Sequence, residues 1–507
     1  MRFLKVNYKD KIFVFLFLLT LFIAILLRTY NYYERISIAS DNSRDVQVAT
    51  YAADNHKFPL TGNFASSGPF FYGPWWYYFL KAVSVFPLGA LTYWYVATGL
   101  SILFIALISK VGQEIEDKLL GFIVAFYAAI SPAQIQNSFS VWNPSITPLL
   151  VLVSLFFAIR SLKKLTLYNM FFLGLFTSLA FTIHFQNMLI LPIPFVTIII
   201  LLFKTQNKKG LFPYISFLAL GSFMPLIPLL YFDVSHYWFN SRNFLIYLLV
   251  DQYKIWVPNR WLTYAGIYWP QTVSYIIGGS VLISYLIIFL IGALTFFNIK
   301  NLREKSAYFL IAITFLLELI LFRYYRGERF FYLSLFSHPS ILIMTAWITY
   351  KIIRVNRIVG LSFLALITIF TINRAFSDVH AQVITLAEIQ TAKKEILKTF
   401  PNSSFNIWRC ASNGTRVGHP LAYFIYKEGK EDLNGVNIGV CETFEKTVEW
   451  TLISERDLQQ KYGEGLFYQN MATSKVYEDI VEWWQKSPPP KSEGNVWEFI
   501  KKNAFKN

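Results

Sequence analysis

Apolar runs of about twenty residues, separated by short polar breaks, recur along the chain as far as residue 377, the spacing expected of membrane-crossing helices. They predict spans near 12–28, 89–109, 119–132, 145–160, 169–184, 187–203, 213–232, 273–297, 306–323, 338–353 and 358–375, about eleven in all. The breaks alternate in kind. With the N-terminus in the cytoplasm, the inside loops carry Lys110 and Lys118, then Arg160, Lys163 and Lys164, then Lys204, Lys208 and Lys209. Lys300, Arg303 and Lys305 follow, and finally Lys351, Arg354 and Arg357, so almost every short inside loop is basic. The outside loops hold Asp41 and its neighbours, Gln134 to Pro144, His184-Phe185-Gln186, Phe232 to His236, and Arg323 to Tyr332. Acids, histidines, amides and unusual arginines thus collect on one side, which predicts one composite extracytoplasmic cavity.

From residue 378 the pattern changes. Short alternations at Phe405-Asn406-Ile407-Trp408 and Val436-Asn437-Ile438-Gly439-Val440 predict strands, and Ser474 to Gln485 predicts a helix. The expected organisation is a transmembrane unit over 1–377, its first outer loop at about 29–88, followed by a small soluble α/β domain over 378–507. An odd number of spans places that domain outside. The two cysteines of the chain, Cys410 and Cys441, both fall in it and are a disulfide candidate in an oxidising compartment, two unpaired thiols being the alternative.

Composition narrows the class. With 507 residues, 55% of them hydrophobic, and a mean hydropathy of +0.42, the chain is too apolar for a soluble domain. A net charge of +16 raises the question of nucleic acid. The basic residues punctuate loops and no basic stretch carries interleaved aromatics, so no nucleic-acid partner is expected. Arg2, Lys5, Lys9 and Lys11 precede a first apolar run that lacks a small-residue cleavage site, which reads as an uncleaved anchor. The expectation is a multi-pass plasma-membrane protein, of a bacterial inner membrane, in contact with membrane lipids.

The densest chemistry is Ser40-Asp41-Asn42-Ser43-Arg44-Asp45, just beyond the first span. Ionisable groups at a membrane boundary are costly and are functional candidates by default. The same loop continues through Gly68-Pro69-Phe70-Phe71-Tyr72-Gly73-Pro74-Trp75-Trp76-Tyr77-Tyr78. A first helix, an outer loop with Asp-x-x-Arg, and an aromatic Gly-Pro segment before the second span together resemble the GT-C integral-membrane glycosyltransferases. The chain is similar to the branch containing protein O-mannosyltransferases, the aminoarabinose transferases of lipid A and the RgtA/B/C/D-like enzymes. The resemblance covers roughly residues 10 to 375. It matches Asp41 to the catalytic aspartate of the family, Arg44 to its following arginine, and Ser67 to Pro74 to its Pro-rich stretch. Asn42 departs from the second acid of the family, with Asp45 restoring a carboxylate one turn after Asp41. The outer loop Ser131 to Pro144 has no acid, no Cys/His spacing resembles a zinc site, and no cofactor is called for; the loop acids give a divalent metal no support.

The resemblance implies a polyprenyl-phosphate-linked sugar as donor and a lipid, glycan or protein hydroxyl as acceptor, with inversion. Such chemistry needs one carboxylate on the acceptor and cations on the departing phosphate. Asp41 is the expected base, with Arg44 and Asp45 beside it. Arg326 and Arg329 are the expected phosphate clamp, against a reading as interface snorkelling. Asp233 and His236 are donor-side candidates. His184, Gln186, Asn143 and Tyr72 are candidates for sugar or acceptor contact. Trp75, Trp76, Tyr77 and Tyr78 read as an interface belt, and Glu318 as a buried pairing with another helix. The rival class is a transporter or lipid flippase, which would place its charges near the midplane on repeated, broken helices.

Overall fold

In lipid a backbone must satisfy its own hydrogen bonds, so apolar runs of this length fold as helices. The computed structural model describes residues 8–38, 40–65, 68–206, 208–254, 260–297, 306–327, 329–377, 385–410, 418–432, 434–442, 448–452 and 466–468. Among these, eight helices are long and apolar enough to cross a membrane: Lys11–Thr29, Thr92–Ile115, Asn143–Lys163, Phe185–Lys204, Lys208–Ser235, Ser306–Arg323, Phe331–Val355 and Arg357–Ser377. Trp261–Ile276 and Val281–Phe297 form a further pair bent by 98°. Gly278 and Gly279 make that bend with φ of 101° and 65°, a region open to glycine at little cost. Two predicted spans, near 119–132 and 169–184, fold as shorter apolar helices, Lys118–Ile130 and Leu167–Ile183. With 13 and 17 residues, at about 1.5 Å per residue, they fall short of a hydrocarbon core of about 30 Å.

The two kinds of loop gather separately. At one end Glu116 pairs with Lys351 at 3.0 Å and Glu114 with Lys163 at 2.8 Å. Asp117 caps Lys118–Ile130 and pairs with Arg354. At the other end the polar outer loops meet in the site described below. Arg28, fully buried near that end of the first helix, donates to Ser101 Oγ at 2.8 Å and to the carbonyl of Ala129 at 2.9 Å, tying three helices together. Glu318 is also fully buried, and its carboxylate has no hydrogen-bond partner among the described residues, so the pairing expected of it is not found there.

Beyond the last span, Leu386–Thr399 opens with a capping box between Thr385 and Glu388. Four strands follow, β1 (Phe405–Cys410), β2 (Val436–Glu442), β3 (Val448–Leu452) and β4 (Leu466–Tyr468), in the spatial order β3-β2-β1-β4. β1 and β2 are parallel, and the helix Gly418–Lys427 lies between them in sequence, whereas the outer pairings are antiparallel. Cys410 and Cys441 lie in the adjacent strands β1 and β2; their side chains, and the predicted helix at 474–485, lie outside the described residues.

Both carboxyl oxygens of Glu431 are covered and have no hydrogen-bond partner among the described residues. Burial pushes this carboxyl up from its ordinary 4.5 to about 8. A raised folded pKa means stability that is full below about 4.5 and lost as pH rises through about 8. Thermal unfolding between these pH values should show that decline in the wild type, and Glu431→Gln should flatten it. Identical profiles for the two proteins would assign the pH dependence elsewhere.

Candidate functional site

The Asp41 cluster forms the first turn of a helix, Ser40–Asp54, whose apolar residues Val46, Val48, Ala49 and Ala52 are buried. Arg44 lies between two carboxylates. Its Nη1 donates to Asp41 Oδ1 at 2.7 Å, and its Nη2 and Nε donate to Asp45 Oδ1 at 2.8 and 3.1 Å. The two acids are unlike: the Asp41 side chain is 56% exposed and that of Asp45 is 0% exposed. Asp45 also accepts from Asn63 Nδ2 at 3.0 Å and Trp76 Nε1 at 2.9 Å. Burial pushes the Asp45 carboxyl up, with Arg44 and then Asn63 pulling it back. Burial acts to lower the Arg44 guanidinium, but Asp45, Tyr77 and Asp41 outweigh it and hold the group above its ordinary value. Asp45 thus anchors Arg44, while Asp41 is left accessible beside it.

Asp45→Asn should destabilise the protein, because it leaves a guanidinium without its main counter-charge. Breaking a buried pair typically costs about 3–5 kcal/mol. The loss should sit at the low end, since Arg44 keeps Asp41 and is 26% exposed. Thermal unfolding of the detergent-purified variant measures it; an unchanged melting temperature would mean that the pair contributes no net stability.

The Gly-Pro segment folds back as a narrow hairpin. Gly62 N donates to Tyr72 O at 2.8 Å, and Phe64 bridges Phe71. A Cβ on Gly62 would stand 2.4 Å from the carbonyl oxygen of Gly73, so only glycine permits this approach. The hairpin carries Asn63 to Asp45 and Tyr72 to His184, where the two rings stack at 4.8 Å and Tyr72 Oη lies 3.4 Å from His184 Nε2. Its far side is held by Phe71 N donating to Asn240 Oδ1 at 2.5 Å. Asp233 accepts from Asn240 N at 2.7 Å and from the backbone and hydroxyl of Ser241.

Tyr72, His184 and Gln186 line an outer cavity of about 350 Å³, with Tyr247, Gln252 and Tyr325 among its other walls. Arg44 acts electrostatically on the Tyr72 phenol, which burial holds above its ordinary pKa. An apolar groove of about 570 Å³ runs alongside, lined by Trp261, Tyr264, Trp269, Leu319, Ile320 and Met344. Arginines that follow Ser306–Arg323 touch a wall residue of each. Arg326 stands over the ring of Tyr253, a wall of the cavity, at 5.1 Å. Arg329 stands over Tyr264, a wall of the groove, at 5.0 Å, and over Phe322 at 5.7 Å. The Nε of each is buried without a hydrogen-bond partner among the described residues. Such geometry suits a molecule with an apolar tail, an anionic joint and a polar head.

Of the candidates, Tyr72, His184 and Gln186 line the cavity, whereas Asp41, Arg44, Asp45, Arg326 and Arg329 do not. Asp233 accepts from the first turn of the next helix, Phe239–Leu249, as above. His236 Nδ1 lies 2.8 Å from Phe232 O, with its ring stacked on Phe232. Asn143 Nδ2 donates to the carbonyl of Ile183 at 2.9 Å, and the segment Asn143–Ile146 opens the helix Thr147–Lys163. The aromatic belt needs correction at two positions: Trp76 and Tyr77 are 3% and 2% exposed, because Trp76 serves Asp45. Sequence reasoning missed Asn63, and also Asn42, whose Oδ1 accepts from Val141 N at 2.5 Å and whose Nδ2 donates to Ser37 Oγ at 3.2 Å. An amide where the family has an acid was the available signal for Asn42.

No described protein family and no curated protein matches the sequence. Solved structures do match the fold. ArnT from Cupriavidus metallidurans bound to undecaprenyl phosphate aligns with a TM-score of 0.56 and 10% identity, over 89% of this chain and 94% of that one. Its apo state aligns with a TM-score of 0.55. The oligosaccharyltransferase AglB from Archaeoglobus fulgidus, in complex with an inhibitory peptide and a dolichol-phosphate, aligns at 0.48 and 14% identity over 78% of this chain. The chain spans 59% of that protein's length. The chain has an ArnT-like fold.

Proposed function

We propose that the protein is a membrane glycosyltransferase that moves a sugar from a polyprenyl-phosphate donor to an acceptor hydroxyl at the outer face of a plasma membrane. The observation that carries this reading is the Arg326–Arg329 loop, whose arginines touch a wall residue of an aromatic, polar-edged cavity and one of an apolar groove. The ArnT structure with the same fold holds undecaprenyl phosphate, a molecule of that tail-and-phosphate form. Here the tail lies in the groove, the phosphate at the arginines, and the sugar in the cavity beside Tyr72, His184 and Gln186. Residues 1–377 form the catalytic unit and 378–507 an extracytoplasmic domain, with the N-terminus cytoplasmic.

The acceptor O–H gives its proton to the Asp41 carboxylate as its oxygen bonds to the anomeric carbon. The bond from that carbon to the phosphate oxygen breaks on the opposite face, so the configuration inverts. The electron pair leaves on the polyprenyl phosphate, whose growing negative charge Arg326 and Arg329 receive. Arg44, anchored by Asp45, orients Asp41. Asp233 and His236 act on the donor side by holding the hairpin and the turn that face it.

Mass spectrometry of envelope glycans and lipids, with and without the protein, tests the reading. A sugar-bearing product should disappear without the protein and return with the wild type but not with Asp41→Asn. A profile that is the same in all three sets aside the transferase and favours a transporter or flippase.

A further inference from the structure

The helix Gly418–Lys427 lies against the loop helix Ser40–Asp54. Its consecutive residues Leu421, Ala422, Tyr423, Phe424 and Ile425 are each at most 1% exposed. Five buried residues in a row leave no solvent face in that stretch. One side packs on Leu386–Thr399 and β1, the other on the loop helix. Two tyrosine hydroxyls cross this boundary. Tyr426 Oη donates to Asp54 Oδ2 at 2.5 Å, at the last residue of the loop helix. Tyr423 Oη donates to the carbonyl of Ala90 at 2.7 Å, and its ring lies 6.2 Å from that of Trp94.

Trp94 continues the path. Its Nε1 donates to Ser37 O at 2.8 Å, Ser37 Oγ accepts from Asn42 Nδ2 at 3.2 Å, and Asn42 Oδ1 takes the N–H of Val141 at 2.5 Å. The loop helix is therefore held at its C-terminal end directly by the C-terminal domain. At its N-terminal end it is held through Trp94, Ser37 and Asn42, the neighbour of Asp41. A domain attached only by its linker has no need to place a buried Tyr423 against Ala90 and Trp94 and a half-buried Tyr426 against Asp54.

We infer that the C-terminal domain is a positioning element of the site, with Tyr423 and Tyr426 holding the loop helix so that Asp41 and Arg44 stand beside the outer cavity. This rests on the proposed role of Asp41. Positioned chemistry is steeply sensitive to small displacements, so loosening either end lowers turnover more than it lowers donor binding.

The test uses the full chain in lipid nanodiscs, with Tyr423→Phe, Tyr426→Phe, both together, Asp54→Asn and Asp54→Ala. Backbone hydrogen exchange at residues 41–54 and at Val141, undecaprenyl phosphate binding and the melting temperature are measured on each. The double phenylalanine variant should exchange about tenfold faster at these amides, as loss of a hydrogen bond worth about 1 kcal/mol or more allows. Undecaprenyl phosphate binding should stay at the wild-type value, and the melting temperature should fall by no more than about 4 °C. Asp54→Asn keeps an acceptor for Tyr426 and should behave as wild type, whereas Asp54→Ala should follow Tyr426→Phe. In cells, the sugar-bearing product should fall about tenfold with the double variant. Unchanged exchange overturns the inference, as does exchange that rises only in step with a falling melting temperature. If the wild type itself yields no product, the transferase reading fails while the exchange comparison still decides the bracing.

Discussion

Asp41→Asn is expected to abolish sugar transfer while leaving undecaprenyl phosphate binding intact. An amide still accepts a hydrogen bond from Arg44 but does not take up the acceptor's proton, and a positioned general base contributes about 10²- to 10⁴-fold. The fold should survive, because the Asp41 side chain is 56% exposed and exposed ion pairs are worth about 0–1 kcal/mol. Loss of turnover with a normal melting temperature is therefore the expected pairing of results. Asp45→Asn should show the opposite emphasis, a lower melting temperature and a smaller loss of turnover, because Asp45 is fully buried under Arg44, Asn63 and Trp76. If Asp45 proves indispensable and Asp41 dispensable, the base belongs to Asp45 and the match to the family is displaced by one turn.

Replacing Arg326 or Arg329 with Ala should remove charge-assisted hydrogen bonds worth about 1.5–3 kcal/mol each, a loss of roughly tenfold to a hundredfold. Much of it should appear in the rate, because the phosphate gains negative charge as it departs and the interaction strengthens in the transition state. Lys should rescue only in part, offering a point charge where guanidinium presents a planar fork. It would also alter the stacking over Tyr253 and Tyr264, at 5.1 and 5.0 Å. Single-turnover kinetics with donor-loaded protein separate rate from affinity. Equal activity of the Ala, Lys and wild-type proteins would reduce these arginines to interface anchors. The clamp would then be sought at Arg242, whose Nε is also buried without a hydrogen-bond partner among the described residues. Lys254 and Arg260 are the other cations of that stretch, with side chains outside the described residues.

The aromatic residues show how far local pattern carries. A run such as Trp75 to Tyr78 looks the same whether it faces lipid headgroups or a buried carboxylate, and the burial of Trp76 and Tyr77 with the hydrogen bond from Trp76 to Asp45 tells them apart. His184 and Tyr72 were both visible as polar groups in outer loops, but they lie 112 positions apart. Asn63 and Asp45 are 18 apart, and Asn42 and Val141 are 99 apart. Each pairing depends on which loop ends a helical bundle brings together, and span length says nothing about that.

Burial of apolar surface is roughly additive along the chain, and a lipid-embedded backbone has few ways to satisfy itself. The helical class, the positions of most spans, the alternation of basic and chemically varied loops, and the change of composition near residue 378 therefore follow from the sequence by itself. So does the candidacy of Asp41, Arg44, Arg326 and Arg329, since charge beside apolar runs is costly wherever the helices end up. The contrast between an exposed Asp41 and a buried Asp45 was decided only by the tertiary structure, in which Asn63 and Trp76 cover Asp45. The stacking of the arginines over Tyr253 and Tyr264, and the hydrogen bonds of Tyr423 to Ala90 and Tyr426 to Asp54, likewise required the tertiary structure. Hydrogen bonds between distant residues are short-ranged and directional, and their partners are chosen by the packing of whole helices.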